Sequence, residues 1–341
     1  ALGLEQRAFP VVVVAGSTGK GTAALRLAAG LADGGLRVGL YTSPHLHSFR
    51  ERFALVPRTS AEIRQEIISP AEFTVHARAV LEAAAALDLP LSTFESATAL
   101  ALRWFTEQAL DVAVCEIGLG GRFDAVNAAA HELALIGPIE MEHAAMLGGS
   151  LERIAWHKAG VIPPGGAAIA LMPADSRVRV IIEQEAADQG AQLAWAGDLA
   201  QAGLDWFQQR GLAAGSATIP PGIALPGRLE RLSIGAQRVI IDGGHTPLAA
   251  RRLAAALAPD LPGGARIIAG MLADKDASAY LRELDLPGVL LVLTTAPAGR
   301  AQSAAALAEA FTAQHAQVEI QPSFEAALAN ALRGPQPVAE N

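Results

Sequence analysis

The sequence predicts an α/β chain of two domains, the larger built on a mostly parallel sheet. Three observations carry that expectation. Short apolar segments alternate with alanine-rich helical stretches, the pattern of βαβ units. The chain has 341 residues, more than one domain usually holds. A Gly/Pro-rich run, GSATIPPGIALPGR (residues 215–228), interrupts the rhythm, and the rhythm restarts after it.

The elements follow in order. Val11–Ala15 is a β-branched strand that runs into the glycine-rich turn GSTGKGT (16–22); apolar residues at Leu25, Leu27, Ala28 and Leu31 then give a helical spacing. Further strands are expected at Val38–Tyr41, Val112–Glu116, Leu133–Ile136 and Ala167–Leu171, with helices over Ala71–Leu87 and Ser96–Gln108. The run at 215–228 reads as a hinge dividing 1–225 from 226–341, and beyond it strands are expected at Val239–Asp242, Ile267–Ala269 and Val289–Leu293, a smaller Rossmann-like α/β domain. The tail RGPQPVAEN (333–341) has no pattern and reads as a frayed or artificial end.

Composition narrows the function. Hydrophobic residues reach 51%, yet no apolar run approaches the roughly 18 to 20 residues that span a bilayer, so no membrane partner is expected. A single cysteine, Cys115, excludes an internal disulfide framework, and no signal-peptide order is present, which makes the cytoplasm the expected location. A formal charge of −8 with no basic run argues against a nucleic-acid surface. Of 26 basic side chains only Lys20, Lys158 and Lys275 are lysines. Where arginine serves for ordinary positive charge, a retained lysine points to chemistry that needs an amine able to lose its proton.

In open parallel sheets ligands bind beyond the carboxyl ends of the strands. After the first strand stand Gly19, Lys20, Gly21 and Thr22, a loop suited to phosphate although it departs from the G-x-x-x-x-G-K-[ST] template. After the second come Thr42 and Ser43; after the third Glu116, a glycine-rich turn, Arg122, Asp124 and Asn127. After the fourth come Glu140, Glu142 and His143, then His157 and Lys158. Taken singly, a Ser-Pro is a turn, a glutamate a helix cap and a histidine a core group. Together a hydroxyl, a carboxylate and an imidazole beside a phosphate loop form a set for magnesium nucleotide.

These motifs resemble the folylpolyglutamate synthase and dihydrofolate synthase family of the Mur ligase superfamily, whose phosphate loop reads G-T-N-G-K-G-[ST]. The further matches are GLYTSPHL…FRERF, Phe94–Glu95, CEIGLGGRFDAVN, LERIAWHKAGVI, LPGRLE, IDGGHTPLAARRLAAAL and GMLADKD, in family order from residue 11 to about 276. The resemblance implies a P-loop-type ATPase domain (1–225), a glutamate-ligase domain (226–341), and ATP-dependent addition of L-glutamate to dihydropteroate or a reduced folate through an acyl phosphate. It implies ATP binding by Gly19, Lys20, Gly21, Thr22, Arg228, Asp242 and His245, and magnesium binding by Ser43, Glu116 and His143. Lys158 matches a carbamylated lysine that holds a second magnesium, and Lys158, Lys20 and His143 take catalytic roles. Phe94, Glu95, Phe123, Asp124 and Ala125 match the pterin pocket. A monomer is expected.

The chain also departs from that pattern. Ser17 and Thr18 stand where the family has Thr and Asn, Thr246 gives H-T-P for H-N-P, and Pro138, Glu140 and Glu142 replace Asn, Gly and Asp. The family's N-terminal pterin stretch, its H-Q-x-N-A helix and its final strand find no match, consistent with a fragment or a slimmed relative. Two other readings stay open: a Mur-type amide ligase for another carboxylate and amine, and an ATP-binding homologue without turnover. A simple P-loop kinase would need neither Lys158 nor the second domain.

Overall fold

A computed structural model describes residues 9–58, 65–235, 237–259 and 261–332; the tail at 333–341 lies outside the described residues. The chain divides into two compact units, 1–225 and 226–341.

In the first unit the strands are β1 (Val11–Ala15), β2 (Val38–Tyr41), β3 (Phe53–Val56), β4 (Glu66–Ile67), β5 (Val112–Glu116), β6 (Leu133–Ile136), β7 (Ala167–Leu171) and β8 (Gln192–Ala196). The helices are α1 (Lys20–Asp33), α2 (Pro70–Ala86), α3 (Thr93–Thr106), α4 (Ala144–Leu147), α5 (Leu151–Ala159), α6 (Ser176–Asp188) and α7 (Leu199–Gln209). The strands form one sheet in the order β4-β3-β2-β5-β1-β6-β7-β8. Strands β2, β5, β1, β6, β7 and β8 run parallel, while β3 and β4 extend the β2 edge antiparallel.

Layering explains the apolar runs. Val11, Val13 and Ala15 face a core shared with Trp104, Phe105, Ala155 and Ile182, whereas Val12 and Val14 face a second core with Leu27, Leu31, Leu204 and Phe207. Both faces are covered, so β1 has no polar alternation. The edge strands escaped the sequence pattern for the opposite reason: β8 (QLAWA) is half exposed and β4 is only two residues long.

The second unit holds β9 (Glu230–Ile234), β10 (Gln237–Ile241), β11 (Ala265–Ala269), β12 (Val289–Thr294) and β13 (Gln317–Gln321), with α8 (Pro247–Leu257), α9 (Ala277–Arg282), α10 (Ala304–Ala310) and α11 (Phe324–Leu332). β11, β12 and β13 form a parallel sheet over Leu253, Leu281, Leu284, Leu291 and Phe311. Here the structure differs from the sequence reading. The segment near Val239–Asp242 pairs antiparallel with β9 in a separate two-stranded hairpin instead of joining the parallel sheet. Gly235, at φ +59 in the turn, permits that reversal.

His76 gives the first unit a pH sensitivity. Its side chain is buried between α2 and α3, with Nδ1 lacking a partner and Nε2 3.7 Å from Glu107. Burial, aided by Arg103 and opposed by Glu107 and Glu72, pushes its pKa down from the ordinary value. The folded state therefore resists a proton that the unfolded chain accepts below about pH 6.5, and stability is lost as pH falls through that region. Denaturant titrations should show the wild type losing more stability between pH 7 and 5 than His76→Leu; parallel losses would assign the acid sensitivity elsewhere.

Candidate active site

The sheet order brings the carboxyl ends of β2, β5, β1 and β6 side by side. Gly16 follows β1 at φ +143, and a Cβ there would lie 3.0 Å from Gly137 Cα, so only glycine lets the loops after β1 and β6 approach this closely. Gly19, at φ +79, caps α1 without a side-chain acceptor, and the first turn of α1 holds no acid. That leaves the helix N-terminus electrically suited to an anion, with Lys20 as its first residue. A Cβ on Gly21 would meet Glu116 Oε2 at 3.0 Å, so the missing side chain makes room for that carboxylate against the first turn that carries Thr22.

Glu116 ends β5 and is buried. Its Oε2 accepts a hydrogen bond from Ser43 N at 2.9 Å, joining the loops after β2 and β5. The loop after β6 is fastened to the phosphate loop by Ser17, whose N donates to Pro138 O at 2.7 Å and whose Oγ accepts from Glu140 N at 3.0 Å. Ser17 and Glu140 thus hold the segment leading to His143. His143 sits at φ +53, and its Nε2 lies 3.4 Å from Oε1 of the buried Glu142. Among the described residues no three His, Cys, Asp or Glu side chains form a metal-ligand group. Of the expected magnesium set, Ser43 and Glu116 are joined by that hydrogen bond, while His143 stands in the loop after β6 beside Glu142.

Lys158 is the most perturbed group here. It lies in the last turn of α5 and is 2% exposed, and its Nζ donates to Gly16 O at 2.8 Å. Burial, reinforced by the charge of Lys20 and opposed by Glu142, pushes the amine down to about 7. At neutral pH a large share of Lys158 is therefore free amine beside the phosphate loop.

The turn after β5 forms the neighbouring wall. Asp124 accepts from Gly118 N at 3.0 Å, Leu119 N at 2.9 Å and Val126 N at 3.0 Å, and it caps a short 3-10 helix, Ala125–Ala128. Burial raises its pKa against those bonds. Phe94 closes on Gly118, where a Cβ would come within 2.7 Å of the ring. Glu95 behaves differently: its carboxylate accepts from Ser92 N at 2.7 Å and completes the capping box of α3. Phe123 is 77% exposed, its ring edge-on to Trp156 and His157 at 5.9 and 5.7 Å. Sequence reasoning missed the fastening role of Ser17 and the loop-organising role of Asp124. A serine two residues after a strand and an aspartate preceding a helical turn were their only signals.

Within the second unit Asp242 gathers the local backbone, accepting from Leu229 N at 2.9 Å and Gly244 N at 2.8 Å. A Cβ on Gly243 would lie 3.2 Å from Arg228 Nη1, and His245 Nδ1 is 3.3 Å from Gly243 O. Arg228, just before β9, and Asp242 and His245, just after β10, are thus brought together at one end of the hairpin.

Residues 227–338 match the family model described as Mur ligase, glutamate ligase domain. The chain is 33% identical over 316 residues to the dihydrofolate synthase/folylpolyglutamate synthase of Escherichia coli, covering 82% of this chain and 71% of that protein. It is 40% identical over 162 residues to a probable bifunctional folylpolyglutamate synthase/dihydropteroate synthase of Haloferax volcanii, covering 48% of this chain and 19% of that longer protein. Among solved structures, a bifunctional folylpolyglutamate synthase/dihydrofolate synthase with Mn, AMPPNP and L-glutamate bound superposes with TM-score 0.80 at 30% identity, covering 98% of this chain and 87% of the other.

The depressed Lys158 amine has a stability consequence. From about pH 7 up to the ordinary lysine value of about 10.4 the unfolded chain holds a proton that the folded chain has released, so folding stability rises with pH across that window. Lys158→Met has no such group. Its stability advantage over the wild type should be largest near pH 7 and shrink toward pH 10 in denaturant titrations. An advantage independent of pH would show that the amine keeps its proton in the fold.

Proposed function

Because the chain belongs to the folylpolyglutamate synthase/dihydrofolate synthase family, we propose that it is an ATP-dependent ligase adding L-glutamate to a folate-type carboxylate, acting as a monomer in the cytoplasm. The observation that carries this reading is Lys158: a buried amine held to the Gly16 carbonyl and brought down to about 7 beside the phosphate loop.

Each residue then has a task. The N–H groups of Gly19, Gly21 and Thr22 and the Lys20 ammonium cradle the ATP phosphates. Ser43, Glu116 and His143 are the residues that would hold magnesium, which when bound offsets the charge shared between phosphate and substrate carboxylate. The Lys158 amine, having lost its ammonium proton, bonds to CO2 through nitrogen and releases a second proton to water to become a carbamate, an anion that would suit a second divalent cation. Arginine cannot do this because its guanidinium stays protonated. Phosphoryl transfer turns the substrate carboxylate into an acyl phosphate, the glutamate amine attacks it, and phosphate leaves. Lys20 places positive charge and hydrogen-bond donors where that charge develops, and His143 would act there as a ligand of the magnesium. Phe94, Phe123, Asp124 and Ala125 wall the pterin site, with Glu95 at its rim through α3. Arg228, Asp242 and His245 are assigned to the nucleotide, in the domain formed by residues 226–341.

ADP release is the direct test. With Mg-ATP and L-glutamate, release should depend on added dihydropteroate or tetrahydrofolate and yield a glutamylated product. Nucleotide binding without release would instead support an ATP-binding homologue. Release that requires a different carboxylate would indicate another amide ligase. Lys158→Ala should lower kcat by about a hundredfold or more with KM for ATP nearly unchanged, the pattern of a group acting in the transition state.

A further inference from the structure

The partly exposed Arg122 and the buried Glu185 form an ion pair outside the residues assigned above. The Arg122 guanidinium, at the end of the glycine-rich turn after β5, donates through Nη2 to Glu185 Oε2 on α6 and to Trp156 O at 3.3 Å on α5. It also stacks on the Trp156 ring at 4.1 Å. The backbone N of Arg122 donates to His157 O at 2.7 Å. Asn127 Nδ2 donates to Gly160 O at 3.0 Å and to Arg122 O at 3.1 Å.

The carbonyls of Trp156, His157 and Gly160 belong to the last turn of α5 or the residue that ends it, where a helix runs out of intrahelical donors; Trp156 O accepts from Gly160 N at 3.3 Å as well as from Arg122. They bracket Lys158. A guanidinium at a helix C-terminus supplies donors and favourable charge together. The fit is tight: a Cβ on Gly160 would come within 2.5 Å of Arg122 Cβ, and one on Gly121 within 2.7 Å of His157 O. Glu185 fixes the guanidinium from the far side. It is 8% exposed, and its other oxygen accepts from Gln189 Nε2 at 3.1 Å. The connection therefore runs from α6 through Arg122 to the end of α5, and through Lys158 Nζ to the phosphate-loop carbonyl of Gly16.

We propose that Arg122 and Glu185 are positioning residues that set the place of the Lys158 amine against the phosphate loop. The use made of that amine rests on the ligase reading; its placement does not. A charge-paired brace suits the task because Arg122 reaches two helices at once, and loss of Arg122 would leave the buried Glu185 carboxylate uncompensated.

The experiment compares wild type with Glu185→Gln, which keeps the shape and removes the charge, with Glu185→Asp as the charge-preserving control and Arg122→Met as the converse. Acylation of Lys158 by an amine-reactive reagent is read by peptide mass against Lys275 in the same molecule, at alkaline pH so that access governs the yield. Glu185→Gln and Arg122→Met should raise the Lys158 to Lys275 ratio about threefold or more, and Glu185→Asp should return it toward wild type. In turnover, kcat should fall about tenfold in Glu185→Gln while KM for ATP changes less than about twofold. An unchanged labelling ratio in variants that remain folded by circular dichroism would overturn the proposal and leave the pair a packing feature. A changed ratio in a chain that shows no ligation would retain the positioning role and reject the ligase reading instead.

Discussion

The candidate site depends on where β1 enters its sheet. β1 lies between β5 and β6 and is paired to both in parallel, with every one of its five residues buried. That placement ends three adjacent strands at one level, so Gly16 and Gly137 begin loops beside Glu116, the last residue of β5. Gly16 and Gly137 then meet backbone to backbone, and Ser17 secures the contact. A side chain at Gly16 would separate the phosphate loop from the segment carrying His143 and withdraw the acceptor that holds Lys158. The off-template phosphate loop is thus part of a junction with a neighbouring loop as well as a cradle for an anion.

Much of this was legible because the local signals agreed with the global fold. The valine run of β1 could only be a strand covered on both faces, and a glycine-rich turn leading into a helix could only follow it at the carboxyl edge. The rarity of lysine singled out Lys158 before any geometry was known. Other features were hidden for physical reasons. The antiparallel pairing of β10 with the polar, exposed β9 was hidden, since pairing direction is set by a partner and a turn that periodicity does not encode. The edge strands lack burial and so lack pattern. Glu95 matched a motif but its carboxylate is committed to capping α3, so an S-x-x-E local rule accounts for it as fully as a pocket does. Glu185 carried no signal at all, because nothing in a helix sequence announces that one of its acids will meet an arginine 63 residues away.

The departures at Glu140 and Glu142 also take physical form. Glu140 contributes its backbone to the Ser17 contact, so the side chain that replaces a family glycine does not obstruct the junction. Glu142 is buried beside His143, and its negative charge acts on Lys158 against the effects of burial and Lys20. Two lysines near a phosphate loop repel one another until an anion arrives. A buried carboxylate partly offsets that repulsion in the absence of nucleotide.

This balance explains why the amine is held so firmly. An amine near 7 owes its state to burial, and burial is a matter of position: a small displacement toward water would restore an ordinary lysine, protonated and unreactive at neutral pH. The α5 helix spans only Leu151–Ala159 and ends at Lys158's own turn, where helices fray most readily. Capping that turn from outside, with one guanidinium anchored on α6 and one asparagine in the short 3-10 helix after β5, removes the freedom at the point where the chemistry is most sensitive to it. The same turn after β5 supplies Asp124 and Phe123 on one side and the Arg122 brace on the other. The glycine-rich segment therefore couples the wall of the candidate substrate site to the environment of Lys158 through a few covalent bonds.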